Sequence, residues 1–261
     1  MIDYVIHRKN RVAMHLGFFA LLLVVWQWLA GVLPPFVLAP PTGIVAAYVD
    51  LIQRGKLAEA LAESLRILIV GFVLASAAGL ILGLLIGRYR VVQRSLEPLL
   101  NALYATPLIA LVPVVMIWFG MGFKGKIVFV CIFTIFPVLI NTYTGVREAP
   151  LDLLEMGRSF GATELEMFRH IILPSALPYI MTGLRLSVGR AIVGMAVAEV
   201  FLRLGGVGAL IMAYGRSFAT EHLYATIIVI PLMSILLSKV VGYFEVRLAP
   251  WKSGGFEERG W

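Results

Sequence analysis

The sequence predicts an all-α integral membrane protein with six spans. Three observations carry that prediction. Hydrophobic residues make up 60% of the chain and charged residues only 14%, where soluble domains carry about 25% charged residues. Mean hydropathy is +0.92. The apolar residues fall in blocks of about 20, the length an α-helix needs to cross the hydrocarbon core of a bilayer.

Span one covers residues 12–33, which hold no Asp, Glu, Lys or Arg and follow Arg8, Lys9 and Arg11. A secretory signal has a shorter apolar region and a small-residue cleavage site. Leu33-Pro34-Pro35 is a poor site, so the segment reads as an anchor. Residues 34–64 form a connector. Within it Thr42 is expected to cap a short surface helix, with Val45, Tyr48, Val49 and Ile52 on one face and Gly55 at its end. Span two covers residues 67–87, where Gly71, Ala75, Gly79, Gly83 and Gly87 recur every fourth residue. Such stripes let helix backbones approach closely in lipid, here within the subunit or across a dimer.

Arg88, Arg90 and Arg94 follow at the edge of the membrane. Span three, residues 99–120, contains Pro107 and Pro113. A proline removes one helix hydrogen bond and clashes with the preceding turn. Membranes tolerate that only where protein or water satisfies the freed groups. Pro107 and Pro113 are therefore candidate pathway residues, with a simple structural kink as the alternative. Residues 120–127 fall one residue short of a phosphate-binding loop: Ile127 stands where a Ser or Thr would hold magnesium, and no strand precedes it. The segment reads as a glycine-rich turn. Span four (127–146), span five (175–200) and span six (223–244) complete the set, and the tail after residue 245 is polar.

Composition excludes several functions. Cys131 is the lone cysteine and cannot form an internal disulfide. The four histidines, at 7, 15, 170 and 222, fit no metal spacing, so no metal site is expected. No basic and aromatic cluster points to nucleic acid. The net charge of +7 is expected on the cytoplasmic rim, against anionic lipid heads. Paired carboxylates are expected only at the surface, as in Glu257-Glu258, and no nucleophile–base set is visible. The chain is therefore not read as an enzyme, and energy for transport must come from a partner or an ion gradient.

Lys/Arg counts set the orientation. With the N-terminus inside, inner segments hold twelve basic residues and outer segments six, the latter including Lys124, Lys126 and Arg203. Both termini are thus expected in the cytoplasm, together with the stretch from residue 147 to 173. There Pro150 suits a first helical position. Leu153, Met156, Gly157 and Phe160 share a helical stripe. Gly161 ends the helix through a positive φ. Thr163 and Glu166 form a capping box that starts a second helix.

This stretch resembles the cytoplasmic Glu-Ala-Ala signature of ABC-importer permeases, the inner-membrane components of binding-protein-dependent transport. Glu155, Gly161, Ile171, Leu173 and Pro174 keep the spacing, while Met156 and Gly157 replace the two alanines. The surrounding residues look most like the nitrate/sulfonate/taurine branch. The resemblance implies a type I importer permease fold over residues 1–261, a single permease domain in the bacterial inner membrane that works by alternating access. It implies that 147–173 is a coupling helix docked on an ATPase. Leu153, Glu155, Met156, Gly157, Arg158, Ser159, Phe160, Gly161 and Ala162 would form the docking elbow, and Leu173 and Pro174 the hinge to span five. The implied partners are two ATP-binding cassette subunits, which bind ATP and magnesium, a second permease copy identical in sequence, and an external substrate-binding protein. No cofactor is expected in this chain. The implied cargo is a small organic or inorganic anion such as a sulfonate, taurine or nitrate.

Span five adds three ionisable residues, Arg185, Arg190 and Glu199, of which Arg185 is expected to snorkel to the inner rim. Arg190 and Glu199 stand on opposite sides of the helix and cannot pair with each other. Charges at such depth face protein or water. Both are candidate pathway residues, Arg190 as a positive field for an anion, with a structural ion pair as the alternative. A transporter driven by an ion gradient is the competing reading. It would need acidic or histidine sites mid-membrane, for which Glu199 is the lone candidate.

Overall fold

The computed structural model describes residues 2–202 and 205–248, with side chains described for 14–202 and 205–247. Arg203, Leu204 and the polar tail with Lys252, Arg259 and Glu257-Glu258 lie outside the described residues, as do the side chains of Arg8, Lys9 and Arg11. The described residues are helical throughout, with no strand. In order they form α1 (Ile2–Val32), α2 (Pro41–Gln53), α3 (Lys56–Arg88), α4 (Arg90–Ala105), a 3₁₀ turn (Leu108–Leu111) and α5 (Val112–Phe119). Then follow α6 (Phe123–Arg147), α7 (Leu151–Ser159), α8 (Glu164–Met167), a π-helical turn (Phe168–Ile172), α9 (Leu173–Leu202), α10 (Gly206–Arg216) and α11 (Thr220–Leu248). Five stretches are long and apolar enough to span a membrane, and α4 with the segment 108–119 makes a sixth, bent by 87°.

The bundle is organised on α6, which lies between α3 and α9. The small-residue stripe of α3 closes a contact within the chain. A Cβ at Gly71 would stand 2.7 Å from Val130, at Gly79 3.0 Å from Val138, at Gly83 2.6 Å from Thr142 and at Gly87 2.7 Å from Val146. Each step along α3 is matched by an equal step along α6 in the same direction, so the two helices run parallel. On the other side Gly183 of α9 meets Asn141 and Gly194 meets Phe133. Here the numbering runs in opposite senses, so α9 is antiparallel to α6.

The parallel pair decides the topology. Two spans that cross in the same direction require the chain between them to cross back. That chain is the bent α4–α5 segment, which therefore counts as a span. It breaks at Thr106-Pro107, between a helix ending at Ala105 and a 3₁₀ turn starting at Leu108. Pro113 makes no break. It sits in the first turn of α5, where its missing N–H costs nothing.

Other boundaries also differ from expectation. The cap of α2 is Pro40, with Pro41 at the first helical position, and not Thr42. Thr42 instead lies near Gln27 Oε1 at 3.4 Å. The buried face of α2 is Ile44, Ala47 and Leu51, while Val45, Val49 and Ile52 are exposed. The expected face was displaced because α2 packs on α11 and α3 rather than along its most apolar edge. Span two is the lower part of a longer helix that begins at Lys56. Span five likewise continues a helix begun at Glu164, through the π-helical turn. A proline clashes with the carbonyl four residues back, and the wider π turn relieves that clash. Pro174 comes two residues after the wide turn, and the helix continues through it.

Candidate functional site

The elbow is built from local rules. Pro150 is the N-cap of α7, one position earlier than expected. At its other end the N–H of Gly161 donates to Arg158 O at 2.9 Å and the N–H of Ala162 to Gly157 O at 2.9 Å. These two bonds define a Schellman cap, and Gly161 takes the φ of +74° it requires. Thr163 then accepts from the N–H of Glu166 at 3.3 Å, while Glu166 Oε2 accepts from the N–H of Thr163 at 2.8 Å. The chain thus reverses between two caps with no slack residue.

Burial divides α7 into two faces. Gly157 is buried, and a Cβ there would stand 3.0 Å from Ile171 Cδ1 and 3.6 Å from Met167. It is the seat on which the elbow folds back, and so it leaves the exposed stripe expected of it. Leu153, Met156 and Phe160 remain outside at 41%, 50% and 85% exposure. Glu155, Arg158 and Ser159 are also exposed. Ser159 Oγ donates to Glu155 O at 3.0 Å, and the Glu155 carboxylate caps nothing among the described residues. Arg158 turns toward the end of the bundle, where it lines a cleft with Arg88, Arg90 and Arg147.

The intramembrane charges sit in unlike surroundings. Arg190 lies on an open face of α9 with Leu186, Gly189 and Val193. Its guanidinium donates to Tyr104 Oη at 3.2 Å and stands 5.2 Å from the centre of that ring. Pro107, also exposed, is one turn beyond Tyr104. Arg185 does not reach out alone but pairs with Glu245 of α11.

The family model of the binding-protein-dependent transport system inner membrane component matches residues 75–253. The chain belongs to this family. It is 33% identical over 236 residues to SsuC of Bacillus subtilis, named for aliphatic sulfonates transport, covering 90% of this chain and 86% of that one. It is 32% identical over 236 residues to the formylaminopyrimidine transport permease protein ThiX of Halalkalibacterium halodurans, covering 90% and 94%. Permeases named for taurine and nitrate transport match as well. Among solved structures, the MetNI methionine ABC transporter superposes with a TM-score of 0.60 at 20% identity, covering 76% of this chain and 96% of that chain. The fold is thus that of an ABC importer permease. Such a permease is a multi-pass inner-membrane subunit and not an enzyme. ATP is handled by a partner ATPase, and a substrate-binding protein works with the pair.

At the end of the permease away from the elbow lies a polar cluster that the sequence did not reveal. Glu199, fully buried, accepts from Ser64 Oγ at 2.6 Å and from the N–H of Gly208 at 2.8 Å. Ser64 Oγ in turn accepts from the N–H of Val207 at 2.9 Å. These are open N–H groups of the first turn of α10, capped from α3 and α9 rather than from their own chain neighbours. Beside them Lys126, 1% exposed, holds Glu63 at 2.9 Å and lies 3.4 Å from Gly205 O. Glu199 is therefore occupied as a cap, and Lys126 is a buried counter-charge, not a residue of an open outer turn. The signal in the sequence was weak: Glu63-Ser64 reads as connector, and its partners stand 63 and 135 residues away.

Proposed function

We propose that residues 147–173 are the coupling segment through which a cytoplasmic ATPase moves the permease. The carrying observation is Phe160, 85% exposed at the tip of an elbow fixed by two caps. An apolar group held rigidly in water is the mark of a docking site. Leu153 and Met156 extend the same patch, and Glu155 offers a free carboxylate for a basic group of the partner. Gly157 and the π-helical turn before Leu173 and Pro174 join the elbow to α9, so a push on α7 reaches that span.

The whole chain, 1–261, acts as one permease domain, and two identical copies form the pathway with two ATPases. No cofactor is bound by this chain. The cargo is a small anion of the sulfonate, taurine or nitrate type. Support comes from the relatives' names and from Arg190, held by Tyr104 on an open face of α9 with Pro107 nearby. An ion-gradient mechanism is not favoured, because Glu199, its one candidate acid, is engaged as a cap.

The test is Phe160→Asp in the complex with the ATPases and binding protein. Transport and cargo-stimulated ATP hydrolysis are expected to fall together while the permease stays folded. Normal uptake by that variant rejects the coupling role. Arg190→Gln tests the cargo reading separately, and unchanged anion uptake rejects it.

A further inference from the structure

We propose that the arginine cleft beside the elbow binds the phosphate headgroup of an anionic phospholipid. The cleft has a volume of about 210 Å³ and is lined by Arg88, Arg90, Arg147 and Arg158, with Glu164 as its one acid. Arg88 and Arg90 flank the end of α3, Arg147 ends α6 and Arg158 comes from α7. Four separate elements, α3, α4, α6 and α7, thus bring four guanidinium groups to one place.

No carboxylate lies within 4 Å of any of the four among the described residues. Arg147 donates to Gln93 and Arg88 stands 5.8 Å from the Tyr89 ring, both neutral partners. Four like charges gathered with a single acid, and with no ion pair to it, repel one another, and a bound anion relieves this. Guanidinium groups match phosphate oxygens two at a time, which a lysine cannot do.

The position selects a lipid. The cleft opens where the apolar helix α3 ends. Tyr89 and Val91 beside it are 55% and 78% exposed, and Leu151 on its other wall is 65% exposed. A basic pocket rimmed by bare apolar side chains at the membrane edge suits a headgroup with its chains alongside. Because Arg158 belongs to α7, a lipid held there bears on the elbow itself.

The experiment uses the permease purified with its ATPase partners, in nanodiscs of phosphatidylcholine with or without phosphatidylglycerol. Native mass spectrometry counts the lipids retained after detergent release. Retention of phosphatidylglycerol over phosphatidylcholine is expected, and each arginine lost lowers that preference about fivefold. Arg90→Gln, and Arg90→Gln with Arg147→Gln, are the variants; Arg94→Gln, outside the cleft, is the control and leaves retention unchanged. Equal retention by wild type and the double variant overturns the proposal. Displacement of the lipid by millimolar inorganic phosphate reassigns the cleft to free phosphate and also overturns it. Loss of the ATPases from a folded Arg90→Gln variant makes the cleft a protein-docking surface instead.

Discussion

At the end of the α3–α6 pair away from the elbow, the buried charges have partners among the described residues: Lys126 with Glu63, Glu199 with Ser64 and the first turn of α10. At the elbow end the reverse holds. Arg88, Arg90, Arg147 and Arg158 share a cleft with Glu164 as its one acid and no carboxylate within 4 Å among the described residues, and Phe160 stands bare in water. The same two helices support both ends. The difference teaches that one end is built to hold still and the other to be gripped. Buried polar groups that are fully paired specify one geometry, while unpaired charge and exposed apolar surface await something outside the chain.

If that contrast is right, substitutions at the paired end cost stability and those at the elbow cost coupling. The largest loss of stability is expected from Glu63→Ala, which leaves Lys126 buried without its counter-charge, at about 3–5 kcal/mol. Thermal melting of the detergent-purified permease measures it, and adding Lys126→Met restores most of the loss. A smaller effect is expected from Gly161→Ala. A Cβ there meets nothing within 4 Å, but φ is +74°, so the cost is the backbone penalty alone, about 1–2 kcal/mol. Equal melting of Gly161→Ala and wild type would show that the elbow relaxes out of its Schellman cap.

Phe160→Ala should change stability by no more than about 0.5 kcal/mol, as for other exposed sites, yet lower transport and cargo-stimulated ATP hydrolysis together. A destabilised Phe160→Ala protein would break the comparison, because Phe160 would then be packed.

The smallest effect concerns α2. Hydrogen bonds from Arg54 at 2.7 Å and from His222 at 3.2 Å hold the Asp50 carboxyl below its usual range. A lowered folded-state pKa means that the tie stabilises at neutral pH and is lost as pH falls through the ordinary carboxylate range toward the depressed value. Protease cutting of the loop before α2 should therefore rise slightly on acidification below about pH 4, and Asp50→Asn should remove that pH dependence.

Much of the elbow was legible because its bonds are local. Thr163 and Glu166 are three residues apart, and Gly161 closes a cap with residues three and five positions away. Gly157 was misread for the same reason: its place on the helical stripe is a local fact, but its burial depends on Ile171 folding back. Lys126 lies in a glycine-rich stretch of sequence that forms the first turn of α6, and nothing near it in the chain announces Glu63.

By itself the sequence determined the helical spans, the small-residue stripe of α3, the two caps of the elbow and the family. Each follows from hydropathy or from spacing within a turn or two of helix, which the chain encodes directly. Only the tertiary structure decided that α3 and α6 run parallel and that the bent pair crosses back between them. It also decided which charges are satisfied. That depends on side chains from distant segments meeting at one end of a bundle, and no periodicity in the chain records such a meeting.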